Sequence, residues 1–490
     1  MVRKRGLWAG ACWAAALAVA PALAQSALPD APQLRGGEAD LTGQSPADAL
    51  PDLSPAAPAP SEPRPTRRKR GDLPPLAPYR RVERVSLRGG ADPTAAESPG
   101  PTVAALPEPP PRRKIKHEDK PFDPVGLYVG DLRLTPYLEQ SLGYASNPFG
   151  LPTGAKGSTL SQSEIGVGLQ SNWSRNELTG AAKVGYNEYF QTPTASAPYG
   201  SGVVDYRYDA SRDLSFDTEG RFNVATETNA QLGLSGSPAE SLTLVSTYGA
   251  TVGGANRFGD LTVGLHGTVD RVQYDGGELD TDDYNDYGLK LRTSYRLSEA
   301  VQPFAEVGGD VRVYDSLYDA TGYDRASDGI YGMAGLRLSL SEMLTGEASL
   351  GYGAREYRDP RLPNAGAPLF DASLLWTVTP LTTITLKAAT TLQDAVIAGA
   401  SADINRSYTI NVDHALTERI KLGLNAGLAT DNYVGTNQTD RNYTLGATAE
   451  YHLSREVVLK ASATHQQFVS STPGSNFTAD VVMLGVRLQR

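Results

Sequence analysis

Residues from about Asp131 to Arg490 alternate between apolar and polar side chains with a period of two. In the first such run, Leu138 and Leu142 fall on the opposite face from Glu139. This is the period of a β-strand with two different faces. The runs are about 12 to 15 residues long, whereas strands of soluble sheets usually have about 5 or 6 residues and a tilted membrane crossing needs about 10. The pattern therefore predicts long membrane-crossing strands.

Short turns with similar chemistry recur between these runs. Their first residues are Ser174, Ser211, Phe258, Ser298, Ser341, Thr379, Thr417 and Ser454. Successive turns start 37 to 47 residues apart, which two strands, one short turn and one longer polar loop account for. Eight short turns predict nine hairpins, hence an all-β, antiparallel up-and-down barrel of about 18 strands (16–18). The number is least secure at Leu242 to Phe258 and Pro368 to Val378, where the alternation is weaker.

A soluble solenoid or propeller also produces a period near 40 residues. Such a soluble fold would need an apolar core, but one of the two faces of nearly every strand is charged. This argues against a solenoid or a propeller. Closing the sheet would turn that face into a wet lumen and leave no free edge. Aromatic residues near the strand ends support the same interpretation, because interfacial girdles favour them. At the long-loop end we expect a girdle of Tyr144, Tyr189, Phe190, Tyr274, Tyr284, Tyr314, Tyr357, Tyr433, Tyr443 and Phe468, and at the short-turn end one of Trp173, Tyr208, Phe258, Tyr295, Trp376 and Tyr451.

The N-terminal part has a different composition. Residues 1–24 combine a basic start, an apolar run from Leu7 to Ala20 and small residues before Gln25, the layout of a secretory signal peptide. Residues 25–125 contain 21 of the 34 prolines, which predicts a disordered, Pro-rich periplasmic arm. Cys12, the only cysteine, lies in the predicted signal, so we expect neither disulfides nor a thiolate metal site. Residues 126–490 form the predicted barrel.

The entry to the barrel resembles a known family. The stretch Pro121-Phe122-Asp123-Pro124-Val125-Gly126, followed by the first strand to Tyr144 and then Ala145-Ser146-Asn147-Pro148-Phe149, is similar to the β-barrel porin family of alphaproteobacteria. The likeness covers roughly residues 121 to 490 and is most specific at the entry. It implies an outer-membrane barrel, with some relatives linked to surface polysaccharide, and it supplies no catalytic residues.

The charged face supplies candidate pore-lining residues. They are Arg133, Glu139, Lys183, Arg207, Asp217, Glu219, Arg221, Lys290, Arg292, Arg296, Glu306, Asp310, Arg312, Glu347 and Lys387. Two interpretations stay open for each: opposed rows of charge that filter solutes, or pairs that solvate the inner wall. A barrel of 16 to 18 strands leaves an aqueous channel unless something plugs it. We therefore expect a porin-like passive diffusion channel for small polar solutes, with a polysaccharide exit port or a structural anchor as the alternative.

Charge and motifs restrict the partners. Residues 126–490 contain 27 basic and 41 acidic residues, a net charge of −14, which disfavours anions and mildly favours cations or neutral sugars at the mouth. An enzyme is the weaker alternative: His266 and Asp270 share a strand face, but hydrolase, zinc-helix and P-loop motifs are missing from the sequence. We expect no cofactor, metal or nucleic acid. The expected partners are outer-membrane lipid and lipopolysaccharide, the barrel assembly machinery and a periplasmic ligand of the basic arm segments Arg67–Arg70 and Arg112–Lys114.

Overall fold

The long alternating runs of the sequence all form β-strands. The computed structural model describes residues 122–234, 242–275, 277–341 and 343–490. The predicted signal peptide and nearly all of the predicted arm, including both of its basic segments, lie outside these ranges. Within them, no helix is long and apolar enough to cross a membrane.

The architecture is one closed antiparallel barrel of 18 strands, with a short extra strand, β1, at its start. Each strand from β2 to β19 pairs with the next, and β19 returns to pair with β2. Residues Leu127–Val129 form β1, which joins β2 by a tight turn at Gly130 (φ +63°), a backbone conformation that favours glycine. The ring strands are β2 Leu132–Ala145, β3 Ser158–Ser171, β4 Asn176–Tyr189, β5 Ala197–Asp209, β6 Leu214–Thr228, β7 Leu242–Phe258, β8 Leu261–Asp275, β9 Tyr284–Tyr295, β10 Val301–Tyr314, β11 Ser327–Ser341, β12 Leu344–Tyr357, β13 Ala365–Thr379, β14 Thr382–Asp394, β15 Ala402–Ala415, β16 Ile420–Tyr433, β17 Thr439–His452, β18 Val457–Ser470 and β19 Phe477–Gln489.

The predicted strand number and all eight predicted short turns are confirmed, since each turn joins an odd-numbered strand to the next even-numbered one. The nine longer loops lie at the other end of the barrel. Two of them contain short 3-10 helices, at Pro193–Ala195 and Gly277–Thr281. The predicted up-and-down barrel, with short turns at one end and long loops at the other, is therefore correct.

The two faces of the wall differ as the alternation predicts. On β9, Leu289 is 59% exposed on the outside, whereas Asp286 and Lys290, on the other face, are 0% and 5% exposed. Glu139 on β2 is buried while its neighbour Leu138 is exposed. A lipid-facing apolar surface and a polar interior are what a membrane barrel requires.

The wall is not continuous at its long-loop end. Pairing between β13 and β14 stops at the Asp371–Ala389 rung, so the β13 segment 365–370 keeps only its β12 partner. Beyond that rung the β14–β15 tip (residues 390–406) leaves β13, although β15 stays paired with β16 up to the Asp403–Tyr433 rung. Pairing between β5 and β6 likewise stops at the Gly200–Val224 rung, and the β6–β7 tip (residues 225–234 and 242–245) begins there.

Prolines mark the places where pairing is interrupted. Pro198 and Pro368 lie on the unpaired edges of β5 and β13, and Pro303 lies one residue beyond the last β9–β10 rung. Pro136 lies between the end of β19 and the start of β1, both of which pair with β2. Because proline has no N–H to donate, it is tolerated in sheets at edges. The described strands contain these four prolines, and each faces an interruption.

Candidate functional site

The interior of the barrel is the candidate functional site. All 15 residues predicted to line it are buried or half-buried, on the face opposite to the exposed apolar side chains. This places them on the inner face of the wall. Their role in lining a solute pathway stays a prediction.

The rung that closes the barrel carries one charged cluster. Arg487 on β19 lies directly opposite Glu139 on β2 and donates two hydrogen bonds to Oε2 of that residue, at 2.9 and 2.6 Å. Lys460 lies 3.3 Å from the other oxygen of Glu139, and Glu450 lies 3.7 Å from Arg487. Two acids and two bases therefore compensate each other where the last strand meets the first.

A second cluster crosses four strands. Arg292 on β9 lies 2.6 Å from Glu347 on β12 and 3.6 Å from Glu306 on β10, and its guanidinium stacks over Phe304 at 3.8 Å. Arg337 on β11 reaches the second oxygen of Glu347 at 3.0 Å. Such a network satisfies buried charges that would be costly alone.

Other predicted lining residues are paired in the same way. Arg312 contacts Asp286 at 3.2 Å and Arg355 contacts Asp310. Arg221 contacts both Asp270 and Glu219, at 2.5 and 3.0 Å, Lys183 lies 3.9 Å from Glu164, and Arg207 lies 2.8 Å from Asp209. Opposite charges thus meet within one strand or between strands one or two apart on the same wall, and this geometry favours the interpretation that they solvate the wall over one with two opposed rows of charge.

Two tyrosines share one carboxylate on the inner wall. The hydroxyls of Tyr137 and Tyr199 donate to the two oxygens of Glu164, at 2.7 and 2.9 Å. Each ring lies across a glycine of a neighbouring strand, Gly166 or Gly185, where an added Cβ would meet ring atoms within 2.4 Å. The glycines therefore allow the rings to lie flat against the wall.

The aromatic girdle is confirmed at the short-turn end, where all six predicted residues are exposed on the outer face. At the long-loop end the prediction is largely wrong. Tyr144, Phe190 and Tyr443 are exposed, but seven residues point inward: Tyr189, Tyr274, Tyr284, Tyr314, Tyr357, Tyr433 and Phe468. They pack under the long loops, so this end of the interior is apolar as well as charged.

Arg325, in the loop between β10 and β11, connects several loops at this end. Its guanidinium donates to the carbonyl oxygens of Ala395, Ile397 and Ala400, all in the β14–β15 tip. It also lies 2.6 Å from Asp319 of its own loop and 3.6 Å from Asp282 of the β8–β9 loop. No sequence pattern pointed to Arg325, because the alternation does not extend into the loops.

The electrostatics of this loop cluster are unusual. Burial, together with the nearby Asp394 and against the opposing effect of Arg325, raises the pKa of Asp282 to about 8. Burial alone would lower the pKa of Arg325, but Asp394 and the other surrounding acids raise it. Asp282 is thus a buried charged residue of the long loops and not a solvated one.

The alternative catalytic pair does not form a separate centre. His266 lies 3.1 Å from Asp217, and Asp270 accepts its short contact from Arg221. Both belong to the ion-paired wall. In the described ranges, no group of three or more His, Cys, Asp or Glu residues is arranged to hold a metal ion.

Comparison with protein families identifies the barrel. Residues 120–490 match the model of the family described as "Putative beta-barrel porin 2". The chain belongs to this family. As a porin-family barrel, it is a protein of the outer membrane.

This porin-family chain is also similar to several solved structures at low sequence identity. The outer membrane protein OpdK from Pseudomonas aeruginosa is 12% identical, with a TM-score of 0.38, and the match covers 73% of this chain and 99% of that one. A BenF-like porin from Pseudomonas fluorescens Pf-5 is 9% identical, with a TM-score of 0.39 and coverages of 74% and 99%. OpdQ from Pseudomonas aeruginosa is 9% identical, with a TM-score of 0.38 and coverages of 73% and 98%. No curated protein matches the chain.

The start of the described chain is fixed against the short-turn end of the porin barrel. Phe122 lies 6.4 Å from the ring of His452 and under the guanidinium of Arg419, at 4.8 Å. Asp123 lies 3.8 Å from Lys421, and Arg133 donates to the carbonyls of residues 124 and 125. Residues 122–126 therefore extend from β1, beside β2, towards β15–β17.

Proposed function

We propose that this barrel is a passive diffusion channel for small polar solutes across the outer membrane. The observation that carries the proposal is the two-faced wall: a closed ring of 18 strands, apolar outside and lined inside with charged and polar side chains. A polar interior of this width favours water over lipid. Membership of a porin family supports the same function.

The selectivity we propose is weak and cationic. The paired clusters leave the wall almost neutral locally, whereas residues 126–490 carry a net charge of −14. A negative potential at the mouth enriches cations, leaves neutral sugars unaffected and repels anions. We expect single channels with a modest preference for potassium over chloride.

Planar lipid bilayers test the proposal directly. Purified full-length protein should produce stepwise currents, and a salt gradient should give a reversal potential of the cationic sign. Heat-denatured protein is the control. If correctly folded barrel gives no current at any voltage, the diffusion-channel proposal is wrong.

A second proposal concerns the arm. The fixed segment 122–126 lies at the short-turn end, which in outer-membrane barrels is periplasmic. This position supports an additional role as an anchor, in which the arm holds a periplasmic partner. Crosslinking in cells should capture a periplasmic ligand with the full chain, and replacing the basic residues 67–70 and 112–114 with serine should reduce the capture. Equal capture by both chains would contradict the tether.

We further propose that the barrel has no catalytic activity, because His266 contacts Asp217 and Asp270 is ion-paired with Arg221 within the wall. Its remaining partners would be lipopolysaccharide around the loops and the assembly machinery that inserts it. An alphaproteobacterial origin is supported only by the likeness at residues 121–149.

A further inference from the structure

The β14–β15 tip lies inside the barrel instead of continuing the wall. Below the tip, Ile384 and Leu386 of β14 belong to the outward-facing set, and Leu392 has the same parity. Yet Leu392 is 1% exposed, because it lies in an apolar cluster with Leu369, Tyr331 and Met333. These three partners sit on the inner face of β11 and β13. The outer face of the tip is therefore packed against the inner face of the neighbouring wall.

The tip is attached to the wall on one side only. Its β15 strand stays hydrogen-bonded to β16, whereas its β14 strand has separated from β13. Pro368 on the free β13 edge has no N–H for a returning strand. The tip can therefore move about its β15–β16 attachment without the rest of the barrel having to open.

Polar contacts hold the inward position. Arg325 donates to three carbonyls of the tip, those of Ala395, Ile397 and Ala400. The hydroxyl of Tyr314 on β10 donates to Asp394 at 2.6 Å. Both Arg325 and Tyr314 come from the β10–β11 side of the barrel, four strands away from β14 in the ring.

The tip also meets a loop from the opposite side. The β6–β7 and β14–β15 hairpins are eight strands apart in the ring of 18, so they face each other across the lumen. Leu232 of the β6–β7 tip shares an apolar cluster with Val396 of the β14–β15 tip. In addition, the side-chain amide of Gln438, in the adjacent β16–β17 loop, donates to the carbonyl of Gly233 in the β6–β7 tip at 2.9 Å. The two tips thus bridge the lumen at the long-loop end.

We propose that the β14–β15 tip is a gate that closes the long-loop mouth of the channel, and that Arg325 is the residue that holds it closed. The inference rests on the proposed channel function, since a gate needs a pathway. Loss of the hydrogen bonds from Arg325 to the three carbonyls of the tip would free the tip from the β10–β11 loop. The mouth would then widen along the β13 side, where no backbone hydrogen bonds have to break.

Thiol labelling tests the movement without relying on current. Residues 122–490 contain no cysteine, so Ser401→Cys places a near-isosteric reporter in the tip at a site that is 0% exposed. A membrane-impermeant maleimide should label it slowly in the otherwise native protein. Arg325→Met should raise the labelling rate by about tenfold or more, because several charge-assisted hydrogen bonds are lost, and Arg325→Lys should have an intermediate effect.

Arg212→Met is the matched control, because Arg212 is an exposed arginine of the β5–β6 short turn, at the opposite end of the barrel from the tip. An unchanged labelling rate in a folded Arg325→Met barrel, or an equal rise in Arg212→Met, would overturn the gate. Heat-shifted electrophoretic mobility establishes that each variant is folded.

Conductance separates the gate from the channel. In bilayers, Arg325→Met should increase the open probability or the unitary conductance. Bridging Leu232→Cys and Val396→Cys with a short bifunctional thiol reagent should reduce the current, and each single cysteine should not. If labelling rises but no variant conducts, the channel proposal is wrong while the moving tip stands. If the bridged protein conducts as well as the unbridged one, the tip does not close the pathway.

Discussion

Arg487 and Glu139 face each other on the rung where the last strand pairs with the first ring strand, and two hydrogen bonds join the guanidinium to one carboxylate oxygen. The two side chains are 2% and 4% exposed. The β19–β2 seam, where the ring closes, therefore carries a buried ion pair at its inner face.

Removing one member of this pair should weaken barrel closure. Glu139→Gln removes the carboxylate that Arg487 and Lys460 share, and breaking a buried ion pair by removing one member costs about 3 kcal/mol. We expect a lower midpoint of urea unfolding in lipid and a lower temperature for the electrophoretic mobility shift. Glu418→Gln, at an exposed turn, is the control. Equal stability of the two variants would show that the pair contributes nothing to closure.

A glycine on β10 should be intolerant of a side chain. A Cβ at Gly308 would lie 2.4 Å from the ring of Tyr331, whose hydroxyl donates to Glu306 at 3.0 Å. Gly308→Val should displace that ring and lower the free energy of unfolding by about 1 to 3 kcal/mol, a typical cost of overpacking. Gly332→Val, next to Tyr331 on the outer face with nothing within 4 Å of its Cβ, should be nearly neutral. Denaturant unfolding of both variants compares them, and equal losses would refute the packing argument.

Arg292 should set the ion preference of the interior. Arg292→Met removes the base that contacts both Glu306 and Glu347, while Arg337 still contacts Glu347. The wall therefore gains one net negative charge. The potassium-to-chloride permeability ratio should rise by roughly twofold. Reversal potentials in a salt gradient measure this ratio, with Arg361→Met as the surface control. An unchanged ratio would mean that permeating ions do not pass near this cluster.

Accessibility of the β14–β15 tip should depend on pH through Asp282. Its pKa is raised to about 8 in the folded loops, first by burial and then by Asp394, while Arg325 opposes the shift and Asp319 and Asp283 add to it. The packed loops therefore bind a proton that the opened loops release, and their stability falls as pH rises from about 4 to about 8. Labelling of Ser401→Cys, corrected for thiolate formation with a fully exposed cysteine, should rise over this range.

Asp282→Asn provides the control for that experiment. Because an amide does not titrate, the corrected labelling rate of the variant should be flat between pH 5 and 9. A pH dependence that persists in Asp282→Asn would assign the effect to another group.

The wall was predictable from the sequence because membrane and lumen impose opposite polarities on successive residues. The strand number and the turns follow from that alternation, as do the buried positions of Glu139 and Arg292. The inward aromatics could also have been found. Tyr284 has the parity of Asp286 and Lys290, which places it on the polar face, but its position at a strand end suggested the girdle.

The tips could not be derived in this way. The alternation was weak in β7 and over residues 368–378 of β13. The structure shows that β13 borders an interruption in pairing and that β7 pairs with the β6 segment that separates from β5. Once a hairpin folds inward, both of its faces are covered, as the four consecutive buried residues 225–228 show. The two-residue alternation then no longer distinguishes an inner face from an outer face. Loop contacts such as those of Arg325 depend on tertiary packing alone.

The two edge prolines have a consequence for how the barrel assembles. Where neighbouring strands pair from the short-turn end upward, Pro198 and Pro368 each remove a donor from the edge that the next rungs would use. Sheet growth can stop there without misregistered pairing further up. The hairpin ends beyond these positions can then fold into the lumen after the barrel has closed. The wall therefore forms first, and the tips pack inside it afterwards.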